Sequence, residues 1–228
     1  MQSQAKRTRK SNETATPAQL INAAILQFGL KGFAQTSTRE IAAVAGVNIA
    51  GIAYHFGGKD GLRKACGLFI VDQMRQTIIG PAMAGLDTAL SSPMTQSEAE
   101  NWLLRILDNI VHALLRRHEA EPVVRFILRE QMDLSPAFTI IHDGIIAPVH
   151  EKLCLLWSKA TGAEPHAEAT KLVTLTFVGQ VLYFRIARNV ALKRLEWSDY
   201  DANHVTHIVS VIQHNLVASL AAARRQPS

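Results

Sequence analysis

The sequence predicts an all-α protein, a small N-terminal unit of three helices followed by a larger helical body. Three observations lead there. Apolar residues recur at three- and four-residue spacing through most of the 228 residues, and strand-type alternation is almost missing. Aromatic residues make up 6% of the chain, which is low for a β-sandwich. Hydrophobic residues at 48% and charged residues at 19% supply a core and place the chain outside the disordered class.

The elements follow in order. Residues 1–15 are polar and basic and read as a flexible arm. Thr16 and Pro17 open the first helix, because threonine caps free N–H groups and a first turn does not need the N–H that proline lacks. Leu20, Ile21, Ala24, Ile25 and Phe28 form its apolar face, and Gly29 and Gly32 are expected to end it. Ser37 and Glu40 have the spacing of a capping box in front of a short helix to Ala45, with Ile41, Val44 and Ala45 facing inward. Gly46 makes a turn. Asn48 caps a third short helix to about His55, and Gly57-Gly58 stops it. Lys59 opens a long fourth helix carrying Leu62, Leu68, Phe69 and Val71.

Pro81 and the stretch 85–97 mark a break. The next helix, over 98–115, carries Trp102, Leu103, Ile106, Leu107, Ile110, Val111 and Leu114 as a wide stripe. Pro122 starts a helix through Met132. Pro136 starts one reaching Trp157, and Pro148 inside it predicts a kink near Gly144. Two long helices, 166–190 and 200–222, complete the chain. The division expected is an arm over 1–15, a three-helix unit over 16–64 and a body over 65–228.

Charge is unevenly spread over that division. Residues 1–64 hold nine basic and three acidic residues, whereas the remaining 164 hold 15 and 16. The whole surplus of the +5 chain therefore sits in its first quarter, the pattern of a segment that meets a polyanion. Cys66 and Cys154 lie far apart, so neither a disulfide framework nor a four-cysteine zinc site is present. A reducing, cytoplasmic setting is expected, the more so because no apolar stretch follows the basic start. No apolar run reaches the roughly 18 residues of a membrane span, so no membrane partner is expected. No P-loop, nucleophile elbow or dinucleotide-binding glycine motif is present, and no cofactor or catalytic residue is assigned.

The pair of short helices 37–45 and 48–55 has the spacing of a helix-turn-helix, whose second helix enters a major groove of double-stranded DNA. Asn48, Ile49, Ala50 and Gly51 lie at the end of that helix that meets base edges. Asparagine can pair with adenine, and isoleucine can touch a thymine methyl. Tyr54 and His55 suit phosphate contacts. Lys59 stands at a helix N-terminus, where free N–H groups and the helix dipole also favour a phosphate. Ser37, Thr38 and Arg39 form the corresponding start of the preceding helix. Lys6–Lys10 in the arm can reach a minor groove.

The runs Thr36-Ser37-Thr38-Arg39-Glu40-Ile41-Ala42-Ala43-Val44-Ala45-Gly46-Val47 and Ile52-Ala53-Tyr54-His55-Phe56-Gly57-Gly58-Lys59-Asp60-Gly61-Leu62 resemble the TetR family of bacterial transcriptional regulators. Many members carry Tyr at the place of Ala53, and Ser or Thr at those of Asn48 and Gly51; here an aromatic phosphate contact has to come from Tyr54 or His55. Arg129-Glu130-Gln131, Pro148-Val149-His150 and Gly179-Gln180-Val181-Leu182-Tyr183-Phe184-Arg185 resemble the C-terminal domain of its CecR subgroup. The resemblance implies a homodimeric, ligand-responsive repressor on a palindromic operator, with control of transport and drug-sensitivity genes.

Polar side chains on the apolar helices of the body mark the expected effector site: Arg129, Gln131, His142, Gln180 and Tyr183, around an apolar or aromatic small molecule. Helices 166–190 and 200–222 carry more apolar surface than one core can cover. Val178, Leu182, Val205, Ile208, Ile212 and Leu216 are therefore expected in a two-fold dimer interface. The alternative reading is a helical enzyme or metal-binding protein built on His204, His207 and His214, which share a helix at three- and seven-residue spacing.

Overall fold

A computed structural model describes residues 16–116 and 121–225; the basic arm with Lys6–Lys10 lies outside them. Every regular element among these residues is helical. The N-terminal unit comprises α1 (Pro17–Lys31), α2 (Thr38–Ala45), α3 (Ala50–Phe56) and the start of α4 (Lys59–Met74). The body adds α5 (Gly80–Ala82), α6 (Leu86–Leu90), α7 (Gln96–Arg116), α8 (Glu121–Met132), α9 (Pro136–Ile141), α10 (Ala147–Thr161), α11 (Glu168–Ile186), α12 (Arg188–Leu195) and α13 (Ala202–Arg225).

Local chemistry sets the ends. The backbone N–H of Thr16 donates to Gln19 Oε1 at 3.0 Å in front of Pro17. Ser37 and Glu40 form the expected reciprocal cap, Glu40 N–H to Ser37 Oγ at 3.2 Å and Ser37 N–H to Glu40 Oε2 at 2.8 Å. Gly46, at φ 68°, ends α2 in the left-handed region, where a side chain would strain the turn. Gly29 does not end α1. It lies inside the helix where α8 crosses, and a Cβ there would stand 3.1 Å from the Pro122 carbonyl oxygen, so glycine permits the close approach.

Prolines account for the irregular helices. One π-helical turn (Arg75–Ile79) joins α4 to α5 ahead of Pro81, and another (His142–Ile146) joins α9 to α10 ahead of Pro148. The expected kink near Gly144 is thus a π turn. Pro148 has no N–H for the Gly144 carbonyl, and Arg75 Nη2 donates to that oxygen instead at 2.8 Å. The first π turn keeps one helical path from Lys59 to Ala82, which crosses the boundary expected at 64/65.

Two apolar cores result. The first gathers Leu20, Phe28, Ile41, Ile52, Leu62 and Cys66, closed from the body side by Phe126 of α8 and Ile141 of α9. The N-terminal unit is therefore seated on the α8–α9 hairpin, α1 on α8 and α4 on α9. The second core lies among α7, α10, α11 and α13, around Ile106, Leu156, Trp157, Val181 and Ile212. Ile79 and Val149 lie against both.

Several side chains differ from the expected pattern. Val44 (50% exposed) and Leu68 (59%) lie on the surface, since Ala42 takes the inward place on α2. Helix 166–190 stops at Ile186, where Ala187 leaves helical geometry, and α12 follows. By length and composition α13 is apolar enough to cross a membrane, contrary to the reading that no segment is. In this fold it is a core helix, with Val205, Ile208, Val209, Ile212, Leu216 and Leu220 buried.

Candidate DNA-binding face and ligand cavity

The turn at Gly46 and the turn at Gly57–Gly58 set α3 outward from the N-terminal core, anchored by Ile52. Around that anchor Asn48, Ile49, Ala50, Tyr54 and His55 are exposed, and Gly51 is half-buried. Tyr54, at 85% exposure, is held only edge-on against His55, ring centres 4.9 Å apart. Asn48 Oδ1 accepts the Ala50 N–H at 2.9 Å, a side-chain turn leading into α3, whose cap position is Ile49 rather than the expected Asn48. Arg39 is exposed on α2 and Thr38 half-buried, whereas the Ser37 hydroxyl is engaged with Glu40. Lys59 Nζ lies 4.2 Å from the Phe33 ring centre, which holds the ammonium at the first turn of α4.

Glu40 carries a perturbed titration. The Lys31 ammonium, 2.6 Å from its Oε1, and the Ser37 N–H and hydroxyl hold its carboxyl down at about 2, against an ordinary value of 4.5. The anionic cap therefore persists well into acid. Cys66, buried under α1, has its thiol pushed up by burial and by the Glu130 carboxylate, so it is an inert thiol rather than a nucleophile.

A buried ionic group joins the DNA-binding unit to the body. Arg63 Nε of α4 donates to Glu130 Oε2 at 2.6 Å, with Glu130 1% exposed. Ser135 Oγ also donates to Glu130, and Asp133 stands 3.5 Å from Arg63 Nη2. The Arg63 guanidinium lies 4.2 Å from the Phe33 ring centre. Arg129, one residue away, donates from Nε to the Gly29 carbonyl at 2.8 Å and from Nη2 to Leu30 at 2.9 Å. It thus caps the C-terminal end of α1. The end of α8 is a clamp on α1 and α4, the helices that flank the helix-turn-helix.

That finding moves Arg129 out of the expected effector site. The other candidates are not brought together either. Gln131 is exposed, and His142 is exposed and pairs with Asp143 at 2.8 Å. Gln180 accepts from Asn215 Nδ2 at 3.0 Å, and Tyr183 is 51% exposed on the outer side of α11. A cavity of about 460 Å³ lies instead between the start of α8 and the α11–α12 junction. Glu121, Arg125, Arg185, Arg188 and Asp199 line it with Ile186 and Val190, a charged lining rather than the apolar one expected. Arg185 and Glu130 are not among the residues that the sequence singles out as a site. The available signal was a charged residue inside an apolar helical run, which needs a buried partner.

Within the protomer, Val205, Ile208, Ile212 and Leu216 belong to its own core, against α7 and α10, so they are withdrawn from the expected interface. Leu182 is exposed and Val178 half-buried. The apolar surface left uncovered on α11 is Leu172, Leu175, Leu182, Tyr183 and Ile186 around Gly179, and on α13 it is Val211 and Val217. The histidine row does not converge. His204 stacks on Trp197 at 3.9 Å with Nδ1 2.9 Å from the Asp199 carbonyl oxygen, while His207 and His214 are exposed. Among the described residues no three His, Cys, Asp or Glu side chains are grouped to hold a metal ion.

Two stretches of the chain match known families. Residues 20–66 match the family "Bacterial regulatory proteins, tetR family", and residues 99–223 match "HTH-type transcriptional dual regulator CecR, C-terminal domain". The HTH-type transcriptional dual regulator CecR of Shigella flexneri is 34% identical over 80% of this chain and 81% of its own. A transcriptional regulator of Pseudomonas aeruginosa shares the fold at 16% identity, with TM-score 0.66 over 92% of both chains. AibR, solved in complex with isovaleryl coenzyme A and operator DNA, shares it at 17% identity, with TM-score 0.57 over 85% of this chain and 96% of that one. The chain belongs to the TetR family of bacterial regulatory proteins, with a CecR-type C-terminal domain, and is a DNA-binding transcriptional regulator rather than an enzyme.

Proposed function

We propose that the chain acts as a homodimeric, ligand-responsive repressor on a palindromic operator in the cytoplasm. The observation that carries this reading is the exposed face of α3, where Asn48, Ile49, Tyr54 and His55 are free of the core between Arg39 and Lys59. Asn48 and Ile49 read bases and Tyr54, His55, Arg39 and Lys59 take phosphates, the division that a recognition helix in a major groove requires. Thr38, Ala50 and Gly51 line the approach, and their small size keeps the backbone near the groove. Ser37, with its N–H and hydroxyl both engaged by Glu40, fixes the start of α2 beside that face.

The second copy covers the apolar face of α11 and α13. Leu175, Leu182, Ile186 and Val211 are too apolar to remain in water together, and a two-fold axis beside Gly179 lets two α11 helices approach closely. Val178 borders that face. Two recognition helices then meet successive grooves roughly 34–36 Å apart, and a ligand that changes their separation releases the DNA.

Selection of bound duplex from a random pool with the full chain tests this. The expected product is a two-fold symmetric site that sediments with two protomers per duplex. Recovery of no enriched sequence, or of one protomer on an asymmetric site, overturns it.

A further inference from the structure

The cavity beside α8 contains a group that the fold leaves unsatisfied. The Arg185 side chain is 4% exposed, and its Nε and Nη2 have no hydrogen-bond partner. These two nitrogens form one edge of the guanidinium, with parallel N–H bonds that match the two oxygens of a carboxylate or phosphate. The acid nearest to that edge is Glu121, whose Oε2 stands 3.4 Å from Nη2. Its other oxygen accepts from Arg125 Nε at 3.0 Å. Arg188, paired with Asp199, completes a lining with more positive than negative charge, and Ile186 and Val190 add an apolar wall. A volume of about 460 Å³ is in the range of small-molecule sites.

We propose that this cavity binds a small organic oxyanion, a carboxylate or phosphate ester on an apolar body, which takes the Nε–Nη2 edge of Arg185 in place of Glu121. The proposal rests on the reading of the chain as a ligand-responsive regulator and names the class of its effector. The anion repels the carboxylate that now faces Arg185. Glu121 is the first residue of α8, and the 12-residue helix ends in the clamp of Arg129 and Glu130 on the DNA-binding unit. A shift at its first turn is carried along one rigid rod of roughly 18 Å to α1 and α4, the helices that flank the helix-turn-helix.

The test is thermal unfolding and calorimetry of the full chain with acetate, isobutyrate, benzoate, phenyl phosphate and inorganic phosphate, and with isobutyramide and benzamide as neutral counterparts. At least one organic oxyanion is expected to raise the unfolding midpoint in a concentration-dependent way, with its neutral counterpart inactive. Glu121→Gln removes the competing charge and should lower the half-saturating concentration about tenfold. Arg185→Lys, which keeps the charge and loses the fork, should raise it about tenfold; if that variant does not fold, Glu121→Gln decides. The carboxylate and phosphate arms tell which oxyanion is preferred. The proposal is overturned if no organic oxyanion acts on the parent or on Glu121→Gln, if the amides act equally, if inorganic phosphate alone acts, or if Glu121→Gln leaves the response unchanged. Operator binding is measured separately: its loss sinks the regulator reading, whereas intact operator binding without anion binding sinks this site alone.

Discussion

Lys59 joins the chemistry of a helix start to that of an anion-binding surface. Its ammonium is held over Phe33 at the first turn of α4, where the backbone N–H groups of the helix start also favour an anion. Lys59→Ala should weaken binding to specific and random duplex alike and lower the salt slope by about one per half-site; fluorescence anisotropy over a salt series measures both. Glu40 makes a different prediction. Its carboxyl is held at about 2 in the folded chain against 4.5 ordinarily, so the stabilisation is present above pH 4.5 and is lost as pH falls toward 2. The difference in unfolding midpoint between the parent and Glu40→Gln should shrink over that interval. Residue types were legible in the sequence where local rules govern them: the Ser37–Glu40 cap and the Gly46 turn follow from spacing alone, whereas Asn48 sits one residue ahead of the cap position of α3. Arg129, His142, Gln180 and Tyr183 were not legible, because whether a polar residue on an amphipathic helix lines a cavity depends on which distant helix packs over it.

At the scale of elements, the order of the long helices followed from apolar periodicity and from Pro and Gly, whereas the short α5 and α6 fall where a break was expected. The break at Ala187 and the role of Gly29 did not follow from them, since the first reflects how Tyr200 OH donates to the Phe184 carbonyl and the second reflects α8 crossing α1. The α3–α4 corner depends on a similar contact. A Cβ on Gly61 would stand 1.8 Å from the Phe56 carbonyl oxygen, so any side chain pushes the recognition helix off α4. Gly61→Ala should destabilise the chain by about 1–3 kcal/mol and lower operator affinity at least tenfold, while circular dichroism still reports a helical protein. Equal operator affinity in this variant would show that α3 is not positioned through that corner.

For the whole molecule, the uneven charge puts the basic surplus on the N-terminal quarter, and the apolar excess of α11 and α13 leaves an uncovered apolar face on the body. Val205, Ile208, Ile212 and Leu216 fall on the core side instead because half a turn about α13 exchanges the core face for the outer one, and periodicity fixes the stripe without saying which neighbour covers it. The two faces now predict opposite variants. Leu182→Glu places a charge on the exposed side of α11 and should give a folded monomer with operator affinity reduced at least a hundredfold, seen by sedimentation and anisotropy. Ile212→Glu buries a charge in the protomer core and should prevent folding.

The two cysteines give the chain a pair of clocks. Cys66 is sealed at 0% exposure in the core of the DNA-binding unit, and Cys154 at 4% in the body, so each thiol meets an alkylating reagent only when its own surroundings open. Iodoacetamide labelling, resolved by mass spectrometry, therefore times the opening of the two halves separately in one sample. With operator duplex bound, the Cys66 clock should slow more than the Cys154 clock. An oxyanion seated on Arg185 should slow Cys154 and, by loosening the clamp at the end of α8, let Cys66 run faster.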